Sequence, residues 1–217
     1  MKSVVIFALV LSLFSCTEKK KEKVLPYIGN FDIEYKTVDG KEVADTVYPK
    51  MIDFQYLNQD SVMIKSSEMK GKVWVADFFF TSCPSICPKM TKQMKRLNEM
   101  TKDINDHIQY MSFSINPTID TPTRLRQYIK AHGITSKNWY FFTGDEDKTH
   151  DLGINHFLIF AKEDAASAGG YAHSAAFVIV DKEGYVRGVY NPATDPEPVN
   201  QLEKDLRKLL KYEYDVD

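Results

Sequence analysis

Residues 72–80 read KVWVADFFF, a run of apolar side chains broken after its lysine only by Asp77. Its length and its β-branched and aromatic content argue for a strand covered on both faces. That is the place of a central strand in a sheet packed between helices, and the segments around it must supply those layers.

The flanking patterns do so. Met90, Met94, Leu97 and Ile104 recur at helical spacing among charged residues and predict an amphipathic helix, with Pro88 in the first turn where no backbone N–H is needed. HIQYMSFSINP (107–117) reads as a second buried strand. In DTPTRLRQYIKAHG (120–133) Thr121 is the expected N-cap, Pro122 the first helical position and Gly133 the stop. NWYFFTGD (138–145) predicts a short strand and DEDKTHDLGINHF (145–157) a helix. AAFVIVDKEGYVRGVY (175–190) predicts two strands about DKEG, and a closing helix lines Val199, Leu202, Leu206 and Leu209 on one face. Ahead of the central strand, residues 52–72 predict a hairpin turning at Asn58, Gln59 and Asp60, and residues 27–50 an N-terminal extension with a hairpin at TVDGKE. EDAASAGGYAH (163–173) reads as a loop beside whatever site the domain carries. Strands alternating with helices and ending in a hairpin and a helix predict an α/β open sheet with antiparallel edges. A chain of 217 residues that is 43% hydrophobic can close one such core, and it shows no internal repeat.

The N-terminus reads MKSVVIFALVLSLFSC. Its apolar run, residues 4–14, falls short of the about 20 residues a spanning helix takes, and suits the core of a signal peptide. Leu13, Ser15 and Cys16 resemble a bacterial lipobox, with Phe14 bulkier than the usual residue there, so residues 1–15 are expected to be a lipoprotein signal peptide and Cys16 the lipidated residue; plain secretion with a free Cys16 is the alternative. Residues 16–27 read as a charged, lipid-anchored tether and 28–217 as the domain, held outside the cytoplasm on a bacterial membrane. With Cys16 lipidated, the other two cysteines remain as an even pair in an oxidising compartment. A net charge of -2 offers no broad basic field, which argues against nucleic acid as a partner.

Those two cysteines lie in TSCPSICPKM (81–90), between a strand end and a helix start. Unpaired N–H groups and the helix dipole favour thiolates there, the form that both binds metal and attacks disulfides. Residue types alone leave a disulfide, a redox pair and a metal clamp open for Cys83 and Cys87. A stapling disulfide normally closes a longer loop. Among the histidines His173 stands out, because it ends the glycine-rich loop just before a strand, and loops at strand ends gather beside neighbouring helix starts. His107, His132, His150 and His156 read as surface or packing residues.

DFFFTSCPSICPKM, SINPTIDTPTRLRQYI, NWYFFTGD, YAHSAAFVIVDKEGYVRGVY and TDPEPVNQLEKDL, in this order, resemble the Sco/SenC family of copper-binding, thioredoxin-fold proteins. The resemblance implies a thioredoxin-like open sheet with flanking helices, and copper held by Cys83, Cys87 and His173. It also implies a partner, the copper-bearing subunit of cytochrome c oxidase or another cuproprotein. Two positions depart from the family pattern: Ala172 stands where an acidic residue often precedes the histidine, and SINP where Asp is common before the proline. Two thiolates and an imidazole suit Cu(I) and can hold Cu(II), whereas a structural zinc site would want a fourth protein ligand. Asp77 lies six residues before Cys83, the offset at which thioredoxins carry a buried aspartate that relays protons to their cysteines. Desolvated there, its carboxyl would have a raised pKa; the alternative is an aspartate that reaches solvent or a lysine. Three functions follow: a membrane-anchored copper metallochaperone; a thiol-disulfide oxidoreductase using Cys83, Cys87 and Asp77; and a surface lipoprotein that merely binds another protein.

Overall fold

The structure is a computed structural model that describes residues 24–164, 166–167, 169–193 and 195–216. The expected signal peptide, Cys16 and most of the tether lie outside the described residues.

The chain opens with a hairpin of β1 (Asp32–Val38) and β2 (Lys41–Val47) that forms its own two-stranded sheet. Next come β3 (Gln55–Asn58), β4 (Met63–Lys65), the central β5 (Val73–Phe79), α1 (Cys87–Met100), β6 (Ile108–Ser114), α2 (Pro122–Ala131), β7 (Trp139–Thr143) and α3 (Glu146–Asp151). A small hairpin of β8 (Ala161–Glu163) and β9 (Tyr171–His173) precedes β10 (Phe177–Val180), β11 (Val186–Tyr190) and α4 (Glu197–Lys208). The main sheet has seven strands in the order β11-β10-β5-β6-β7-β3-β4. β5, β6 and β7 run parallel, β10 lies antiparallel on one side of them and β3 on the other. This is a thioredoxin-like sheet with an N-terminal hairpin extension.

Every residue of β5 is buried, and alternate side chains enter different layers. Phe78 stacks on Phe113 at 5.1 Å and meets Phe157 beyond α3 at 5.6 Å, while Phe79 meets Tyr128 of α2 at 5.4 Å. The apolar face of α1, Met90, Met94 and Leu97, is fully buried, and α1 packs on α4, whose Val199, Leu202 and Leu206 are equally buried. Helix α2 starts as its sequence demands: the Thr121 hydroxyl oxygen accepts from Arg124 N, Pro122 follows, and Gly133 stops it at φ +60.

Three expectations are corrected. Ile104 does not continue the first helix, which ends at Met100; it is buried from a separate 3-10 turn, Lys102–His107. The Thr101 hydroxyl donates back to Leu97 O and closes the helix there. The segment read as a loop is a hairpin, because Tyr171–His173 pairs with Ala161–Glu163. Finally, α3 and α4 each run on into a π-helical turn, Leu152–His156 and Leu209–Glu213, and the second of these carries Leu209.

The chain is packed against the domain from Val24 onward. Arg187, 1% exposed, pairs with Asp181 at 2.8 Å and with Glu213 at 2.7 Å, and donates to the carbonyls of Leu25 and Pro26. Val24 N donates to Glu213 at 2.8 Å. Because β10 is antiparallel to β5, with Val180 opposite Trp74, this clamp lies at the end of the sheet where β5 begins. The cysteines follow the other end.

Candidate metal centre

Beyond Phe79 the chain turns, with Cys83 N donating to Phe80 O at 3.2 Å, and enters α1 at Cys87. Cys83 therefore sits in the turn and Cys87 at the first helical position, so the two do not share a helical turn. Both are free thiols. Cys83 is 7% exposed and Cys87 not at all. His173 arrives from the end of β9, its ring edge-on to Phe80 at 5.7 Å. Gly169 lets that hairpin lie on the cysteine segment: it has φ +86, and a Cβ there would fall 2.7 Å from the Phe80 ring.

Ligand atoms of Cys83, Cys87 and His173 all lie within 4.8 Å of one another. The Cys87 sulfur is 3.2 Å from His173 Nε2. On its other side His173 Nδ1 lies 3.2 Å from Ser174 O. A carbonyl only accepts, so Nδ1 carries a proton and Nε2 is the nitrogen that faces the sulfurs. The Cys87 hydrogen bond holds the Cys83 thiol far below its ordinary range, at about 3, with His173 helping. The same shared hydrogen bond, and then burial, push Cys87 up. The pair therefore gives up its first proton from Cys83, the more exposed sulfur, and keeps the second on Cys87.

Asp77 is 2% exposed and excludes the solvent-reaching alternative. Burial pushes its carboxyl up from 3.8 to about 7, against the Ser112 hydrogen bond and the His173 charge, which both pull it down. The Ser112 hydroxyl donates to Asp77 at 2.5 Å and accepts from Trp139 Nε1 at 2.9 Å. Ser112 went unread in the sequence, and only the β5–β6 register, which sets Asp77 opposite it, reveals the pairing. Of the remaining histidines, His132 contacts Tyr128 O and His150 contacts Ile115 O, as packing groups do.

A thioredoxin-like sheet that gathers two cysteines and a histidine where its central strand exits defines a class of protein, a redox fold equipped with a soft metal-ligand set. The SCO1/SenC family pattern matches residues 42–211, and the chain belongs to this family. It is 28% identical over 169 residues to the SCO1 protein homolog of Bacillus subtilis (strain 168), covering 77% of this chain and 86% of the relative. The crystal structure of a SCO1/SenC family lipoprotein from Bacillus anthracis str. Ames superposes with a TM-score of 0.68 at 30% identity, covering 74% of this chain and 94% of that one. BsSco, a member of the Sco family of cytochrome c oxidase assembly proteins in which a disulfide switch was identified, superposes with a TM-score of 0.65 at 29% identity, covering 73% and 91%. Among the described residues no helix is long and apolar enough to cross a membrane.

Proposed function

We propose that the domain takes up one copper ion as cargo at Cys83, Cys87 and His173 and passes it to the copper-bearing subunit of cytochrome c oxidase or another exported cuproprotein. The observation that carries this reading is the convergence of two sulfurs and one imidazole nitrogen within 4.8 Å at the exit of β5. The donors fit the ion. Cys83 holds its charge before metal arrives, Cys87 surrenders its proton as the metal binds, and the Nε2 nitrogen already faces the Cys87 sulfur at 3.2 Å. Membership of a family that includes BsSco, a cytochrome c oxidase assembly protein, supports the choice of partner. Cys16 is proposed to carry lipid and hold the domain outside the cytoplasm on a bacterial membrane, a reading supported by the lipobox and by the lipoprotein relative.

The test is copper titration of the reduced full chain against a competing chelator. One ion should bind, and Cys83→Ala or Cys87→Ala should abolish tight binding. His173→Ala should weaken Cu(II) more than Cu(I), because two thiolates alone can hold Cu(I) while Cu(II) wants further nitrogen or oxygen donors. Unchanged affinities in His173→Ala would remove it from the ligand set.

Asp77 favours a second reading, thiol-disulfide exchange. The Cys83 thiolate attacks a partner disulfide, forming a mixed disulfide and releasing one partner thiolate. Cys87 then attacks Cys83, its proton passing to Asp77, and the second partner thiolate leaves. Two electrons move to the partner and a Cys83–Cys87 disulfide remains. Copper and this disulfide compete for the same sulfurs, so one site serves both reactions only in turn.

A further inference from the structure

We infer that Asp120 is a positioning residue for the two cysteines, bracing through Thr81 the turn that delivers Cys83. The inference rests on reading Cys83 and Cys87 as working thiols. Asp120 is 0% exposed, and three donors meet its carboxyl oxygens. Thr81 N donates to Oδ2 at 2.9 Å, the Thr81 hydroxyl donates to Oδ1, and the Ser114 hydroxyl donates to Oδ2 at 2.6 Å. Arg124 Nε, from the first turn of α2, donates to the Thr81 hydroxyl oxygen at 3.1 Å. Thr81 is thus gripped from two sides, two positions before Cys83.

The loop after β6 is folded to make this grip. Asn116 N donates to the Ser114 hydroxyl oxygen at 3.1 Å and Asp120 N to Asn116 O at 3.0 Å, which turns the carboxyl back toward the exit of β5. Asp120 precedes the Thr121 cap directly, and nothing in DTP shows that its side chain reaches residue 81. Burying a carboxyl costs several kcal/mol unless donors compensate it, so an apolar residue would fill this position more cheaply if packing were its only task. Two of the three bonds end on Thr81. What the carboxyl holds is the departure point of the cysteine segment.

At the other end that segment is held by α1, which begins at Cys87. Residues 82–86 bridge two fixed points, with the sulfurs close but unbonded. A disulfide must bring them to about 2.05 Å, whereas a metal ion sits between them. The brace therefore favours the dithiol, and a metal held by it, over the disulfide. Releasing Thr81 lets the bridge contract and shifts the balance toward the disulfide.

The experiment measures the Cys83–Cys87 dithiol–disulfide equilibrium of the full chain in a thiol–disulfide redox buffer, where reducing the protein disulfide consumes two buffer thiols and yields one buffer disulfide. The wild type is compared with Asp120→Ala, Asp120→Asn and Thr81→Val, with Asp103→Ala as a control. Asp103 accepts from Arg207 at 2.7 Å in the turn that precedes β6, at the end of the sheet where β5 begins and away from the cysteines. Asp120→Ala should move the equilibrium at least tenfold toward the disulfide, a fall in potential of about 30 mV. The two milder variants should move it in the same direction by less, and the control should leave it unmoved. If Asp120→Ala does not fold, Asp120→Asn and Thr81→Val decide. Equilibria within twofold of wild type in both, or an equal shift in the control, would reduce Asp120 to a structural residue. Metal does not enter this readout, so failure of wild type to bind copper would sink the copper reading and leave the brace to be judged by the equilibrium.

Discussion

Replacing Asp77 with Asn isolates a buried carboxyl whose charge acts on Cys87, and the structure sets the size of the effect. Burial raises its pKa from 3.8 to about 7 in the folded chain, so between those values the folded state holds a proton that the unfolded state has released. Stability must fall as pH rises through that window, with the full penalty present above pH 7. At about 1.4 kcal/mol per pH unit the penalty reaches about 4 kcal/mol. Asn never charges, and its carbonyl can still accept the Ser112 hydroxyl, which donates to Oδ1 in the wild type. The variant should therefore come close to wild type near pH 4, gain about 2 kcal/mol on it between pH 5 and 7, and gain little more by pH 8. Urea unfolding of the reduced chain at each pH reads this difference, with chelator present because bound metal would add its own stabilisation. A difference flat within about 0.5 kcal/mol from pH 5 to 8 would show that no strained carboxyl is there. It would also remove the base from the exchange reaction, whose rate near neutral pH should drop in Asp77→Asn while copper affinity changes little.

With Cys83 held at about 3, its alkylation rate in the reduced, metal-free chain should be flat from pH 5 to 8 while Cys87 stays unreactive until unfolding; a tenfold rise per pH unit near neutrality would contradict this thiolate. Arg187→Met takes the guanidinium from between the buried Asp181 and Glu213 carboxylates and should cost about 3–5 kcal/mol in urea unfolding, and a loss under about 1 kcal/mol would show the clamp to be idle. Cys16→Ser should abolish fatty-acid labelling and membrane retention while leaving the domain folded; equal label in both proteins would end the lipoprotein reading.

The elements whose period matches their environment were legible in the sequence. KVWVADFFF is apolar on both faces because helices cover both, and Met90, Met94 and Leu97 keep helical spacing because one face of α1 is buried. The short β8–β9 hairpin was not legible, since three-residue strands flanking alanine and glycine carry no periodic signal. His173 carried little weight as a lone histidine and gained it from its place at the end of the glycine-rich loop before a strand, and then from the family motif. Its placement depends on pairing with Ala161, which sequence spacing does not encode. The partners of the buried acids were hidden for a related reason: Ser112 is 35 positions from Asp77 and Thr81 is 39 from Asp120, and each pair is made by strand register or a returning loop.

The two ends of the sheet divide the work. Arg187, Asp181 and Glu213 tie residues 24–26 to the end where β5 begins, and Cys83, Cys87 and His173 gather at the end where it exits. β5 rises about 3.3 Å per residue over 7 residues, so the two ends stand roughly 20 Å apart. Chain entering at Val24 meets the domain at the end away from the thiols. If Cys16 carries lipid as proposed, that anchor leaves the cysteine end free for a partner. Residues 16–23 span at most about 28 Å when extended, and a partner site within the sum of these lengths from the membrane is within reach without unfolding any of the domain.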